Sequence, residues 1–259
     1  MIFDANAAAN AAATADSSAV STCAIILAGG LGTRLRSAVP DLPKPMAPIA
    51  GRPFLAHQLD HWIAQGVRHF VLSVGYRHEA ISKHFGRSYG GAALDYAVET
   101  TPLGTGGALL LAVAQLPPDP TNAPVLLLNG DTYFDVNLAA LAAHARAHDA
   151  QWCLALFRST DAQRYLGVDV SADGRLHGLR STALTSAADQ FANGGVYLFR
   201  PSSLNGLRVE PGRPVSLENE LFAQLLAQGQ RFAGLVCPGA FIDIGVPDDY
   251  ARAASVLPC

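Results

Sequence analysis

Residues 27 to 55, LAGGLGTRLRSAVPDLPKPMAPIAGRPFL, hold the densest set of phosphate-seeking groups in the chain. An apolar run ends in Leu27 and Ala28 and leads into Gly29, Gly30 and Gly32, followed by Thr33 and Arg34; Lys44 then stands between Pro43 and Pro45. Glycines let the backbone turn tightly and aim N–H groups at anionic oxygens with no Cβ in the way. A guanidinium such as Arg34 can fork onto phosphate, and Lys44, stiffened by its prolines, can place a point charge there. The pattern predicts a polyphosphate cradle. Two familiar versions do not fit: no Lys directly follows the glycines, as a Walker A loop requires, and Leu35 occupies the third glycine position of a dinucleotide fingerprint. A plain glycine turn with two surface cations would not need so many such groups together.

Two aspartates add to this. Asp131 ends LLLNGD and Asp243 lies in FIDIG, both at the ends of apolar runs. In open α/β sheets ligands lie beyond the carboxyl ends of the strands, where two acids from distant segments can hold Mg²⁺ against a triphosphate. Alone, each Asp would read as a helix cap; the glycine loop upstream favours the metal. Asp135, Asp248 and Asp249 read as caps or solvated acids. The pairs His57/His61 and His144/His148 have a zinc-like spacing but lack the Glu of an H-E-x-x-H motif, and both read as structural. Ser216 has no His and Asp partners to make it a nucleophile.

These residues need a scaffold. From Cys23 on, near-continuous apolar runs (CAIIL, HFVLSVG, LDYAVE, PVLLLNGD, QWCLALF) alternate with helical patterns (PFLAHQLDHWIAQG, HEAISKHF, TGGALLLAVAQL, NLAALAAHARAHD). Fully apolar strands separated by helices predict a mostly parallel sheet covered on both faces. Between Tyr165 and Phe199 the pattern changes to YLGVDV, a turn at Asp173-Gly174, RLHGLR and NGGVYLF, which predicts antiparallel pieces at one edge. SLENELFAQLLAQG predicts an amphipathic helix capped by Ser216, FIDIG a short last strand, and PDDYARAASVL a closing helix with Pro247 in its first turn. Trp62 and Trp152 read as core.

The chain has 259 residues, half of them hydrophobic, which suits one sizeable domain over residues 22–259. A net charge of −3 with no Lys/Arg cluster argues against nucleic acid as a partner, and no apolar run approaches the length of a membrane span. Residues 1–21, mostly Ala with Asn, Asp, Ser and Thr, have neither the positive start nor the solid apolar stretch of a secretory signal and read as a disordered extension. Cys23, Cys153, Cys237 and Cys259 are far apart and form no C-x-x-C pair, so neither disulfides nor zinc are expected, and a cytoplasmic location fits. No hexapeptide repeat follows the core.

The run G-G-x-G-T-R-L followed by P-K-P resembles the signature of the sugar-1-phosphate nucleotidylyltransferases. The resemblance extends over residues 22 to 256 with the motifs in that family's order. Within it, LGTRLRSAVPDLPKPMAPI, VLSVGYRHEAI, PLGTGGA, LNGDTYFD and FIDIGVPDDY look most like the D-glycero-D-manno-heptose 1-phosphate guanylyltransferases. The resemblance implies a Rossmann-like three-layer α/β/α sandwich with a small antiparallel sugar-binding extension. It implies transfer of a nucleotidyl group from a nucleoside triphosphate to a sugar 1-phosphate, with Arg34, Lys44 and Asp131 catalytic and Asp131 and Asp243 on Mg²⁺. Leu27, Ala28, Gly29, Gly30, Gly32 and Thr33 would surround the nucleotide. VETTPLGTGGAL, with Glu99, Pro102, Gly104 and Thr105, would frame the base. Glu99 favours GTP on chemical grounds, because a carboxylate can accept both N1–H and N2–H of guanine; an exposed strand-end charge is the other reading. On the sugar side the resemblance points to Asn129, Gly130, Tyr165, Gly167, Asn193, Gly194 and Glu218. Leu166 is an extra residue in the Y-G-x-V strand, and Glu218 reads equally well as a first-turn helix acid. Arg180 stands near the place of the basic residue of the family's E-K-P, whose motif is absent. The sequence leaves the oligomeric state open, a homo-oligomer included.

Overall fold

The computed structural model describes residues 22–258, apart from 31, 36–37, 120, 160–166, 172, 181–190 and 211. The extension expected over 1–21 and the candidate Tyr165 lie outside the described residues.

The chain opens with β1 (Cys23–Leu27), the two-residue strands β2 (Pro48–Ile49) and β3 (Arg52–Pro53), α1 (Phe54–Ala64) and β4 (His69–Val74). Next come α2 (His78–Phe85), β5 (Ser88–Tyr89), β6 (Ala92–Val98), α3 (Gly104–Val113), β7 (Val125–Asn129), β8 (Thr132–Phe134) and α4 (Leu138–Ala147). The remainder comprises β9 (Trp152–Arg158), β10 (Gly167–Val170), β11 (Leu176–Arg180), β12 (Phe191–Phe199), α5 (Phe222–Ala227), β13 (Phe232–Val236), β14 (Phe241–Asp243) and α6 (Pro247–Val256).

Ten strands form one sheet in the order β11-β10-β12-β7-β1-β4-β6-β5, with β9 pairing β12 and β13 pairing β9. Its centre, β7-β1-β4-β6, is parallel, as the uninterrupted apolar runs require. Side chains alternate across it. Ile26, Leu72 and Leu128 face α1 and α4 through Leu55, Leu59, Trp62 and Leu141, whereas Ile25, Val71 and Leu127 face Leu109 of α3 and Phe222 and Leu225 of α5. The result is the three-layer α/β/α sandwich. Trp62 and Trp152 are buried in it.

Two expectations need adjustment. The antiparallel strand containing NGGVYLF is not an edge addition: β12 pairs β7 antiparallel and sits between the parallel block and β9 and β10. Its residues 196–199 are buried on both faces, which local pattern cannot tell from a parallel strand. The segment after Ser216 begins with one π-helical turn, Leu217–Leu221, before α5, and the Ser216 hydroxyl does cap it by accepting from Asn219 N at 3.1 Å.

β8 and β14 pair apart from the main sheet, with Asp243 opposite Thr132. Beneath this ribbon lies a third small core of Leu35, Val39, Ala47, Ile49, Phe54, Tyr133, Ile242, Ile244, Ala253 and Leu257. It draws on the glycine-loop turn, the segment after Lys44, the start of α1, both ribbon strands and α6, and so joins parts of the chain that are far apart in sequence.

Candidate active site

That small core decides where the charged residues go. Arg34 precedes the buried Leu35, Lys44 precedes Ala47 and Ile49, Asp131 precedes Tyr133, and Asp243 lies between Ile242 and Ile244. Each buried Leu or Ile is worth about 1.5–3 kcal/mol, enough to fix the backbone beside its polar neighbour.

The glycine loop leaves the carboxyl end of β1. Ala28 N donates to Ser73 O at 2.7 Å, and Gly130 N donates to Leu27 O at 2.9 Å, so β1, β4 and the β7–β8 turn are stitched together here. A Cβ on Gly130 would lie 2.4 Å from Leu27 O, which only glycine avoids. Gly32 takes φ of +60° and places its Cα side within 3.4 Å, by the position of a missing Cβ, of Lys44 Cβ. Thr33 and Arg34 follow in a single 3₁₀ turn with Arg34 exposed.

Lys44 Nζ lies 2.5 Å from Asp131 Oδ2, and Thr132 Oγ1 donates to Asp131 Oδ1 at 3.1 Å. Asp243 arrives from the paired strand, where Ile244 N donates to Asp131 O at 2.9 Å. The point where a Cβ on Gly245 would sit is 2.6 Å from Asp243 Oδ1 and 2.7 Å from Lys44 Nζ. Asp131 thus pairs with the ammonium directly, and Asp243, whose Oδ1 accepts from Gly245 N at 2.7 Å, lies across the space that a Cβ on Gly245 would fill. The structure brings together Arg34's turn, Gly32, Lys44, Asp131 and Asp243, residues up to 211 positions apart in sequence. Gly245 was not singled out in the sequence, although a glycine after FIDI was a visible signal.

The segment 99–105 is more heavily committed to internal contacts than expected. Glu99 Oε2 accepts from Leu103 N at 3.1 Å, and Oε1 faces Ser73 Oγ at 3.4 Å and presses on Gly29, where a Cβ would be 2.0 Å away. Burial pushes the Glu99 carboxyl up, and the bonds from Leu103 and Ser73 offset part of that. It is half-buried, not an open strand-end charge. The amides at the start of α3 are not all available to a ligand either: Leu103 N goes to Glu99, and Gly106 N to Val215 O at 2.9 Å. Gly104, at φ of +71°, packs on Val215, where a Cβ would be 2.5 Å from its carbonyl oxygen. Pro102 is exposed at the rim.

The sugar-side candidates form a network through a residue the sequence did not single out. Tyr197, fully buried, donates to Glu218 Oε1 at 3.0 Å and accepts from Asn193 Nδ2 at 2.7 Å. Thr105 Oγ1 donates to Glu218 Oε2 at 3.1 Å and accepts from Leu217 N at 2.8 Å. Glu218 is thus more than a first-turn helix acid: it links the base-framing segment to β12. Burial, then the nearby charge of Glu218, raises the Tyr197 hydroxyl well above its usual range, so it stays a donor. A phenol in the apolar run VYLF was the available clue. Asn129 lies beside Gly195, whose missing Cβ would be 2.7 Å from Asn129 Nδ2. Gly194 packs on Phe134. Gly167 pairs with both Arg180 and Ala192, so these candidates occupy adjacent strands.

The declined histidines are structural. His57 Nε2 contacts Ile49 O at 3.1 Å, and both His148 nitrogens face carbonyl oxygens. Among the described residues no group of three or more His, Cys, Asp or Glu is arranged around a common metal position, and no helix is long and apolar enough to cross a membrane.

Over residues 23–258 the sequence matches the family described as Nucleotidyl transferase. The D-glycero-alpha-D-manno-heptose 1-phosphate guanylyltransferase of Aneurinibacillus thermoaerophilus is 38% identical over 239 residues, covering 90% of this chain and 97% of that protein. The Campylobacter jejuni protein of the same name is 34% identical over 227 residues, covering 88% and 96%. Among solved structures, HddC from Yersinia pseudotuberculosis complexed with GMP-PN superposes with a TM-score of 0.75 at 28% identity, covering 90% of this chain and 98% of that one.

Proposed function

The chain belongs to the nucleotidyl transferase family and is a sugar-1-phosphate nucleotidylyltransferase; from that premise we propose that it transfers GMP from GTP to D-glycero-α-D-manno-heptose 1-phosphate, releasing pyrophosphate. The substrates proposed are those in the names of relatives 38% and 34% identical over nearly their full length. The product, a GDP-heptose, would serve surface polysaccharide synthesis in the cytoplasm.

The observation that carries the chemistry is the Lys44–Asp131–Asp243 cluster below the glycine loop. Asp131 already seats one cation there, with Asp243 on the neighbouring strand, and hard oxygen donors with half-open access suit Mg²⁺, which typically takes one or two carboxylates and completes its shell with water and phosphate. Asp131 and Asp243 would hold the ion, which when bound supplies charge neutralisation for the triphosphate and the departing pyrophosphate. The protein's own groups do the rest. The glycine-loop backbone and Arg34 bind and orient the triphosphate, and Lys44 passes from the carboxylates to phosphate oxygen. A sugar 1-phosphate is largely dianionic at neutral pH, since its second pKa is about 6, so its oxygen attacks the α-phosphorus without a general base. Alignment of the two polyanions is the main task.

For the base, Glu99 faces the loop beside Gly29 with its Oε1 only loosely held, and it remains the group suited to guanine N–H donors. For the sugar, Glu218 and Asn193, braced by Tyr197, offer the hydroxyl partners. A panel of the four nucleoside triphosphates against heptose, mannose and glucose 1-phosphates, read by pyrophosphate release, tests the assignment. GTP with the heptose phosphate is expected to show the highest kcat/KM; a clear preference for another base or sugar overturns it.

Tyr197→Phe removes two bonds, one to the Glu218 carboxylate, worth about 1.5–3 kcal/mol, and one from Asn193. It should raise KM for the sugar phosphate about tenfold or more, with KM for the nucleotide little changed. Steady-state kinetics with each substrate varied in turn checks this.

A further inference from the structure

We infer that Gln58, on α1, is a positioning residue that sets the Asp131 carboxylate; this rests on the metal-binding reading above. Gln58 is 2% exposed, and its Nε2 donates to Asn129 O at 2.8 Å and to Thr132 O at 2.6 Å, the carbonyls on either side of the Gly130-Asp131 pair. Both amide hydrogens are thus used to clamp one turn. On its far side that turn is held by Ile244 N bonding to Asp131 O at 2.9 Å. Gly130, tight against Leu27 O, leaves it no room to shift toward β1. The same helix begins at Phe54, whose N donates to Ala47 O at 2.9 Å, three residues beyond Lys44. One rigid helix therefore fixes both halves of the Lys44–Asp131 pair.

The choice of residue points the same way. Gln58 Oε1 is buried and meets no hydrogen-bond partner among the described residues. An unpaired buried acceptor is costly, and an apolar side chain of the same size would avoid it. Gln58 also stands on the apolar face of α1, three residues after Leu55 and four before Trp62, where packing alone calls for a Leu or Met. Its amide donors are what this position uses.

The test uses the full chain and Mn²⁺ as a probe, titrated without nucleotide and followed by electron paramagnetic resonance. The background is Lys44→Met, in which the resident ammonium no longer competes. Adding Gln58→Met is expected to weaken Mn²⁺ binding by about 10–100-fold, the usual effect of losing a group that orients a metal ligand. In the otherwise native chain it should lower kcat and raise the Mg²⁺ requirement, with KM for the sugar phosphate unchanged. Unaltered Mn²⁺ affinity in a folded Gln58→Met protein would overturn the inference. If Gln58→Met does not fold, Gln58→Glu carries the same argument. Protonated, it donates one bond; ionised, it donates none and repels both carbonyls, so its kcat should fall with rising pH through a titration absent from the native protein. A native-like pH profile refutes the role. Asp131→Asn separates the two levels: if it abolishes Mn²⁺ binding while Gln58→Met leaves it intact, only this inference fails; if it changes nothing, the metal reading fails too and takes the inference with it.

Discussion

Asp131→Ala is expected to lower kcat for pyrophosphate release by about 10²–10³-fold, the scale seen when a group that stabilises the transition state is deleted, while leaving the fold intact. The two effects separate because of where the side chain sits. Asp131 is 35% exposed and Lys44 12%, so breaking this half-buried ion pair costs the fold a minor share of its stability. Its backbone, by contrast, is held by Ile244 and flanked by the Gln58 bonds, and none of these depends on the carboxylate. Thermal melting should therefore shift by no more than a few degrees. Turnover within a few-fold of the native enzyme would contradict the proposed mechanism.

Lys44→Met is expected to act in two opposite directions. Turnover should fall by about 10²–10³-fold, because the one ammonium that moves onto the phosphate is lost, leaving Arg34 and the metal to do its share. The nucleotide-free protein should at the same time bind divalent ions more tightly. In the native chain the ammonium, 2.5 Å from Asp131 Oδ2, neutralises an acid that a metal would use. Removing it releases Asp131 from its ion pair, so an incoming ion no longer competes with that ammonium. A gain of about tenfold in Mn²⁺ affinity, or about 1.4 kcal/mol, is a modest share of the interaction between charges this close. Weaker binding in the variant would mean that Lys44 organises the carboxylates and does not compete for them.

Much of this was legible in the sequence, for identifiable reasons. β1, β4 and β7 are continuous apolar runs because the sheet buries both faces, and the same runs deliver Gly29 and Asp131 at their carboxyl ends. Lys44 stood out because two prolines flank it. What stayed hidden depends on contacts distant in sequence. The interior place of β12 is set by antiparallel partners in β7 and β9, and its alternation alone cannot reveal them. The Lys44–Asp131 pair spans 87 positions. Glu99 looked like an exposed charge because nothing near it in sequence shows that Gly29 and Ser73 fold over it. Gln58 and Tyr197 were visible as polar groups in apolar patterns, but their partners lie 71 to 74 and 21 positions away.

The third core carries a consequence for durability. Its few apolar side chains hold the closing helix α6 against one face of the β8–β14 ribbon, whose other face, through Phe134 and Phe241, packs on the large core. Such a patch can open locally at a smaller free-energy cost than global unfolding. Inactivation by heat or denaturant would then begin with α6 lifting away and the four charges drifting apart, in molecules whose sheet is still whole. The working life of the catalyst would be set by ten modest contacts at its periphery and not by the bulk of its interior.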